Sequence, residues 1–284
     1  MYLFKKVKDL QAFLQQEKKK GSRIGFTPTM GALHIGHLSL IQRALQSNQI
    51  SVCSVFVNPT QFNQATDLET YPRPIEQDIE LLEQAGNQVL FLPTVEEVYP
   101  NDLDTTVSID LNGLDEAMEG AHRPGHFKGV VQVVKRFLDI IQPHELFMGQ
   151  KDYQQFCIIE HMIRQLALPV EIVMCPTVRE SSGLAQSSRN RRLSPSARQA
   201  ASNIYKQLQL AIQRFSQQSA AAAKTSYFQA LEDLGFKPEY IDFVDGHTLK
   251  EVERLDAAER IVVCTAVWVE GVRLIDNIVV KSES

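Results

Sequence analysis

Two histidines three residues apart, His34 and His37, stand in the stretch Pro28-Thr29-Met30-Gly31-Ala32-Leu33-His34-Ile35-Gly36-His37. The short apolar run Ile24 to Phe26 precedes them, and a helical pattern from Leu38 to Leu45 follows. Strand, tight turn and helix, in that order, build a phosphate-binding arrangement. Gly31 has no Cβ, so the backbone can approach a ligand closely there. A helix opening near Gly36 turns unpaired N–H groups and the positive end of its dipole toward an anion. Imidazoles straddling that helix start reach the same anion, and a neutral imidazole donates a hydrogen bond to developing negative charge. Zinc is the rival ligand for such a pair, but no third and fourth ligand stands at a recognisable spacing. The stretch reads as an ATP site.

Other residues could share that chemistry. Lys151 lies between Gly149 and Asp152 at a strand-to-helix turn, and a compact ammonium suits charge building on an α-phosphate. Asp152 is also the kind of carboxylate that a helix dipole favours in its first turn. Ser187-Ser188-Arg189 offers two hydroxyls and a guanidinium, a set that can hold terminal phosphates and release pyrophosphate. Gln61 and Gln155 each carry a donor and an acceptor, which suits a ligand bearing hydroxyls and a carboxylate, although taken alone they read as exposed polar residues. Residues 120–128, with His122, Arg123 and His126, form a stretch that can close over a site as a lid. His144, His161 and His247 read as structural or surface residues, and Trp268 as core.

The elements that must position these groups follow from periodicity. Short apolar runs predict strands over 23–26, 51–57, 88–92, 145–148 and 170–174, and 3.6-residue patterns predict helices over 7–19, 37–47, 75–85, 129–141 and 153–167. Their alternation predicts an α/β fold, a Rossmann-like parallel sheet with both faces covered by helices. The motifs at 28–37, 58–63, 149–151 and 177–179 each follow one of these strands. In open α/β sheets ligands bind beyond the carboxyl ends of the strands, so the motifs converge on one sheet edge.

Past Cys175-Pro176 the composition changes to a polar loop over 176–194, rich in Arg, Ser and Gly. Helices are predicted over 195–216, with Ser194 as N-cap and Pro195 at the first position, and over 220–234. Strands over 240–244, 260–267 and 272–280 follow, with Glu270-Gly271 as a hairpin turn and a frayed tail at 281–284. The division is thus a nucleotide-binding domain over 1–175 and a smaller α+β C-terminal domain over 176–284, in keeping with 284 residues being long for one core.

At 44% hydrophobic and 22% charged the composition is that of a soluble globular protein, with no apolar run long enough to span a bilayer. The first twenty residues are charged and lack the apolar core of a signal peptide, which predicts a cytoplasmic protein. A net charge of −5 weighs against a nucleic-acid partner. Cys53, Cys157, Cys175 and Cys264 have neither zinc-site nor disulfide-framework spacing and read as buried reduced thiols.

His34-Ile35-Gly36-His37 is similar to the histidine motif of the nucleotidyltransferase superfamily that includes class I aminoacyl-tRNA synthetases. The longer set is more specific: Pro28 to Leu40, Phe56-Val57-Asn58-Pro59-Thr60-Gln61-Phe62, Tyr71-Pro72-Arg73, Gly120 to Phe127, Lys151-Asp152-Tyr153-Gln154-Gln155 and Ser187-Ser188-Arg189-Asn190, in that order. Together these resemble the pantoate–β-alanine ligase (pantothenate synthetase) family over nearly the whole chain. The resemblance implies an AMP-forming carbon–nitrogen ligase, homodimeric and using Mg²⁺ carried by ATP. It implies ATP contacts from Met30, Gly31, Ala32, Leu33, His34, Ile35, Gly36, His37, Gly149, Gln150, Lys151, Asp152, Val178, Gln186, Ser187, Ser188 and Arg189. His34, His37 and Lys151 would be catalytic, Gln61 and Gln155 would hold pantoate, and Gln61 would also meet β-alanine. Gln186 stands where the family usually carries Met, and Gln150 where Glu is common. Two other readings stay open: a nucleotidyltransferase acting on another acid or phosphate, and a non-catalytic nucleotide-binding protein.

Overall fold

Strands form where short apolar runs can be covered on both faces. In the computed structural model, which describes residues 1–62 and 68–281, β2 (Ile24–Thr29) and β3 (Ile50–Val55) are buried along nearly their whole length. With β1 (Tyr2–Phe4), β4 (Val89–Phe91), β5 (Glu145–Gly149) and β6 (Glu171–Cys175) they make a parallel sheet in the order β1-β4-β3-β2-β5-β6. The expected α/β fold is what forms. Three-residue β1 was not legible, because an exposed strand paired with β4 at the end of the strand order leaves too short a pattern. Asn63 of the 58–63 motif and residues 282–284 of the expected tail lie outside the described residues.

Helix His126–Ile141 covers one face. Its Phe137 ring meets Phe26, Phe56 and Phe91 edge-on, with centroids 5.8, 5.8 and 6.0 Å away, the aromatic geometry that adds to simple burial. Elsewhere, Leu33, Ile41, Cys53, Val55, Leu82 and Leu90 pack around helices Ile35–Ser47 and Ile75–Gln84. The strand order reverses direction at β2, whose neighbours are β3 and β5, so the carboxyl ends of β2 and β5 flank the crevice that such sheets use for ligands.

The chain divides into two compact units. The first comprises residues 1–112, 123–149 and 155–176, and the second residues 113–122, 150–154 and 177–284. In the second, β7 (Lys237–Asp245), β8 (Ile261–Val269) and β9 (Val272–Lys281) form an antiparallel sheet in sequence order. Glu270 and Gly271 both take positive φ, 46° and 73°, as a two-residue hairpin turn demands. Helices Asn203–Gln217 and Ala220–Glu232 pack on this sheet, with Phe215 stacked on Phe243 at 4.2 Å and the Tyr227 hydroxyl 3.0 Å from Thr265 Oγ1.

The helix expected over 195–216 is instead two, Pro195–Ala200 and Asn203–Gln217. Ser202 Oγ donates to Gln199 O at 2.7 Å and Asn203 Nδ2 to Ala200 O at 2.9 Å, so short polar side chains take carbonyls that a continuous helix would use. Ser194 caps the first of the two, its hydroxyl accepting from Ala197 N–H, as expected. All four cysteines are buried, and burial pushes the Cys53 thiol up to about 12 and the Cys175 thiol up to about 11, out of the reactive range. Among the described residues no helix is long and apolar enough to cross a membrane.

Candidate active site

Between β2 and helix Ile35–Ser47 the backbone turns through Gly31 and Ala32 at φ 79° and 49°. A Cβ on Gly31 would lie 2.9 Å from Asp78 Oδ2 and 3.0 Å from Val55 Cγ1, so the position needs glycine on both conformation and space. Asp78, only 1% exposed, accepts from Ala32 N–H at 2.9 Å and from Leu33 N–H at 2.7 Å, holding the turn from helix Ile75–Gln84. Sequence reasoning missed this residue, because an acid in a helix's first turn looks like ordinary dipole compensation. Asp78→Ala removes the carboxylate that accepts from two buried N–H groups, at roughly 1–3 kcal/mol each. Urea unfolding will show a clearly lowered midpoint, and an unchanged midpoint would refute the brace.

The helix begins at Ile35 rather than at His37, which makes the histidines its capping pair. His34 is the N-cap, its Nδ1 accepting from Gly36 N–H at 3.1 Å, while His37 Nδ1 accepts from His34 N–H at 3.3 Å. Histidines thus take the places that Ser or Thr and Glu or Gln hold in a capping box. The rings lie 4.0 Å apart, centroid to centroid. A ring nitrogen that accepts carries no proton, so each neutral imidazole holds its proton on Nε2 and is fixed as a donor there.

Gln61 ends a 3₁₀ turn, Pro59–Gln61, that follows β3, and it is 8% exposed. Its Oε1 accepts from Asn58 Nδ2 at 3.2 Å and its Nε2 donates to Met30 Sδ at 3.0 Å, which brings Gln61 beside the Met30 turn. Asn58 Nδ2 also donates to Gly129 O at 3.1 Å, its Oδ1 accepts from the Tyr99 hydroxyl at 3.0 Å, and His126 Nδ1 lies 2.8 Å from Gln61 O. Gly129 permits this closeness, since a Cβ there would collide with Thr60 O and come 2.7 Å from Gln61 N. Gln61, expected to be exposed on its type alone, is a buried and oriented amide. Gly149 ends β5, and Gln155 lies in the first turn of helix Tyr153–Gln165.

In the second unit Gln150, Lys151 and Asp152 form a 3₁₀ turn, with Lys151 Nζ 3.4 Å from Asp152 Oδ1. The stretch over 176–194 is more ordered than a plain loop: Gln186 N–H donates to Val178 O at 2.9 Å, and Arg179 and Ala185 form an antiparallel bridge. Val178 and Gln186 are thereby brought together. Ser187 Oγ accepts from Arg189 N–H at 3.2 Å and caps the 3₁₀ segment Ser188–Arg192. The expected lid over 120–128 is no loop either. Helix Glu119–His122 and the helix starting at His126 occupy it, and Glu119 takes two hydrogen bonds from Arg273, at 2.7 and 2.8 Å, and one from the Tyr240 hydroxyl at 2.9 Å.

The model of the pantoate–β-alanine ligase family matches residues 2–279. The chain belongs to this family. It is 43% identical to the pantothenate synthetase of Cytophaga hutchinsonii over 96% of this chain and 97% of that one. It is 45% identical to that of Bacteroides fragilis over 97% of each. Among solved structures, the pantothenate synthetase of Thermus thermophilus is 41% identical with a TM-score of 0.90, covering 99% of this chain and 100% of that one. The Francisella tularensis pantoate–β-alanine ligase, solved with β-γ ATP and β-alanine, is 34% identical with a TM-score of 0.82, covering 99% and 98%. The resemblance drawn from the motifs is therefore borne out, and the chain is an enzyme of the ligase class. Family membership over nearly the whole length sets aside the non-catalytic reading and that of a transferase to another acceptor.

Proposed function

We propose that this chain joins pantoate to β-alanine in two steps at the expense of ATP. The pantoate carboxylate attacks the α-phosphorus, forming pantoyl adenylate as the bond to pyrophosphate breaks. The neutral amine of β-alanine then attacks the acyl carbon and displaces AMP. Activation is needed because a carboxylate is a poor electrophile. The observation that supports the reading best is the histidine capping pair at the carboxyl end of β2, two Nε2–H donors on a helix start.

The roles of the cations and phosphate donors rest on their chemistry, and those of Gln61 and Gln155 on the family resemblance. His34 and His37 offset charge on the phosphates, Lys151 meets the α-phosphate, and Ser187, Ser188 and Arg189 take the phosphates that leave. Gln61 and Gln155 hold pantoate, and Gln61 is also near β-alanine. Mg²⁺ would ride mainly on the triphosphate, since such an ion takes few protein ligands and keeps its contacts to substrate phosphates. That ion would supply charge neutralisation at the phosphates. By the family resemblance the working form is a cytoplasmic homodimer with small-molecule partners.

The test is release of AMP and pyrophosphate from ATP and pantoate, with and without β-alanine. AMP release that requires both substrates, with pyrophosphate from pantoate alone, is the expected pattern. ATP binding without any turnover would overturn the assignment.

A further inference from the structure

We infer that Asn277, on β9, is a positioning residue that sets the Lys151 turn for adenylate formation. The inference rests on the reading of Lys151 as a catalytic cation. Asn277 is 2% exposed, and its Nδ2 donates to both Gln150 O, at 2.9 Å, and Lys151 O, at 2.8 Å. Its Oδ1 accepts from Gln150 Nε2 at 3.2 Å. One side-chain amide thus grips two successive carbonyls of a turn too short to fix itself. A 3₁₀ turn of three residues has poor internal hydrogen-bond geometry, so an outside clamp decides where its side chains point.

Asn277 is itself held. Its backbone N–H donates to Asp276 Oδ1 at 2.7 Å, and its carbonyl accepts from Arg179 at 3.2 Å. Arg179 binds the Asp276 carboxylate with both of its terminal nitrogens, at 2.6 and 2.9 Å, and its guanidinium lies 3.8 Å over the Tyr205 ring. Arg179 also bridges to Ala185, at the base of the segment that carries Ser187. The Arg179–Asp276 pair therefore ties two segments assigned to ATP, the Lys151 turn and the Ser187 segment, to adjacent positions on one strand. Sequence reasoning had no signal for this, since Asn277 lies more than a hundred residues from the turn it grips.

A double-mutant cycle on the full-length enzyme tests the assignment, reading single-turnover pyrophosphate release at saturating ATP and pantoate. Asn277→Ala alone should slow release on the order of 10²-fold, the effect of misplacing a reacting group by about an ångström. In a Lys151→Ala background the same substitution should cost almost nothing, because the group it positions is gone. Equal losses in both backgrounds would overturn the positioning role while leaving Lys151 catalytic. No loss from Lys151→Ala itself would overturn both readings. Asn277→Asp, nearly the same shape but unable to donate, repeats the cycle should the alanine variant fail to fold. If both variants unfold, Asn277 is a folding residue and the inference falls.

Discussion

Lys151→Ala will slow pyrophosphate formation from ATP and pantoate by about 10²–10³-fold, the ~2.7–4 kcal/mol that one preorganised donor contributes at a charged transition state. It will do so with the melting temperature essentially unchanged. The ammonium's ion pair with Asp152, at 3.4 Å, joins side chains 20% and 48% exposed, and such pairs contribute about 0–1 kcal/mol. The turn's backbone is gripped by Asn277 and not by the lysine side chain, so removing the charge leaves the turn in place. Lys151→Arg should recover little, since a planar guanidinium is a different shape from a compact ammonium at one phosphate oxygen. Stopped-time assays of pyrophosphate, run beside thermal melts, separate the outcomes. A variant as fast as the native enzyme would remove Lys151 from the chemistry, and a large loss of stability would make it structural.

Much of the sheet was legible because its signal is local. The runs at 24–26, 51–57 and 145–148 announce buried strands, and each motif's position just after a strand places it at a carboxyl end. The histidine turn was legible for the same reason: Gly31, His34 and His37 sit within seven residues. What escaped was held by distant partners. Asp78 braces the Gly31 turn from a helix more than forty residues on, and its type and place are equally those of a surface acid. Gln61 looked like a solvent-exposed amide until Asn58, Tyr99 and the close approach at Gly129 buried and oriented its turn. The break between Ala200 and Asn203 escaped because alanine-rich propensity outweighed two short polar side chains that bond backward. The capping role of the histidines also went unread, since imidazole is not among the residues that mark a helix start.

That capping role gives His37 two separable jobs. As an acceptor at Nδ1 it completes the capping box with His34 N–H, and under the proposed mechanism it would donate from Nε2 to developing phosphate charge. His37→Ala removes both. Loss of the cap should cost ~0.5–2 kcal/mol, a fall of a few degrees in melting temperature. Loss of the donor should slow adenylate formation by about 10²–10³-fold. His37→Glu divides the two effects. Glutamate at the third helical position can accept from His34 N–H and its charge suits the helix dipole, so the melting temperature should return to the native value or rise. It cannot donate, and its charge opposes the phosphates, so pyrophosphate release should stay at or below the alanine level. Recovery of rate together with stability would mean that His37 serves the helix alone. Native-like stability in the alanine variant would mean that the cap contributes nothing, and the preset Nε2–H would then lose its structural basis.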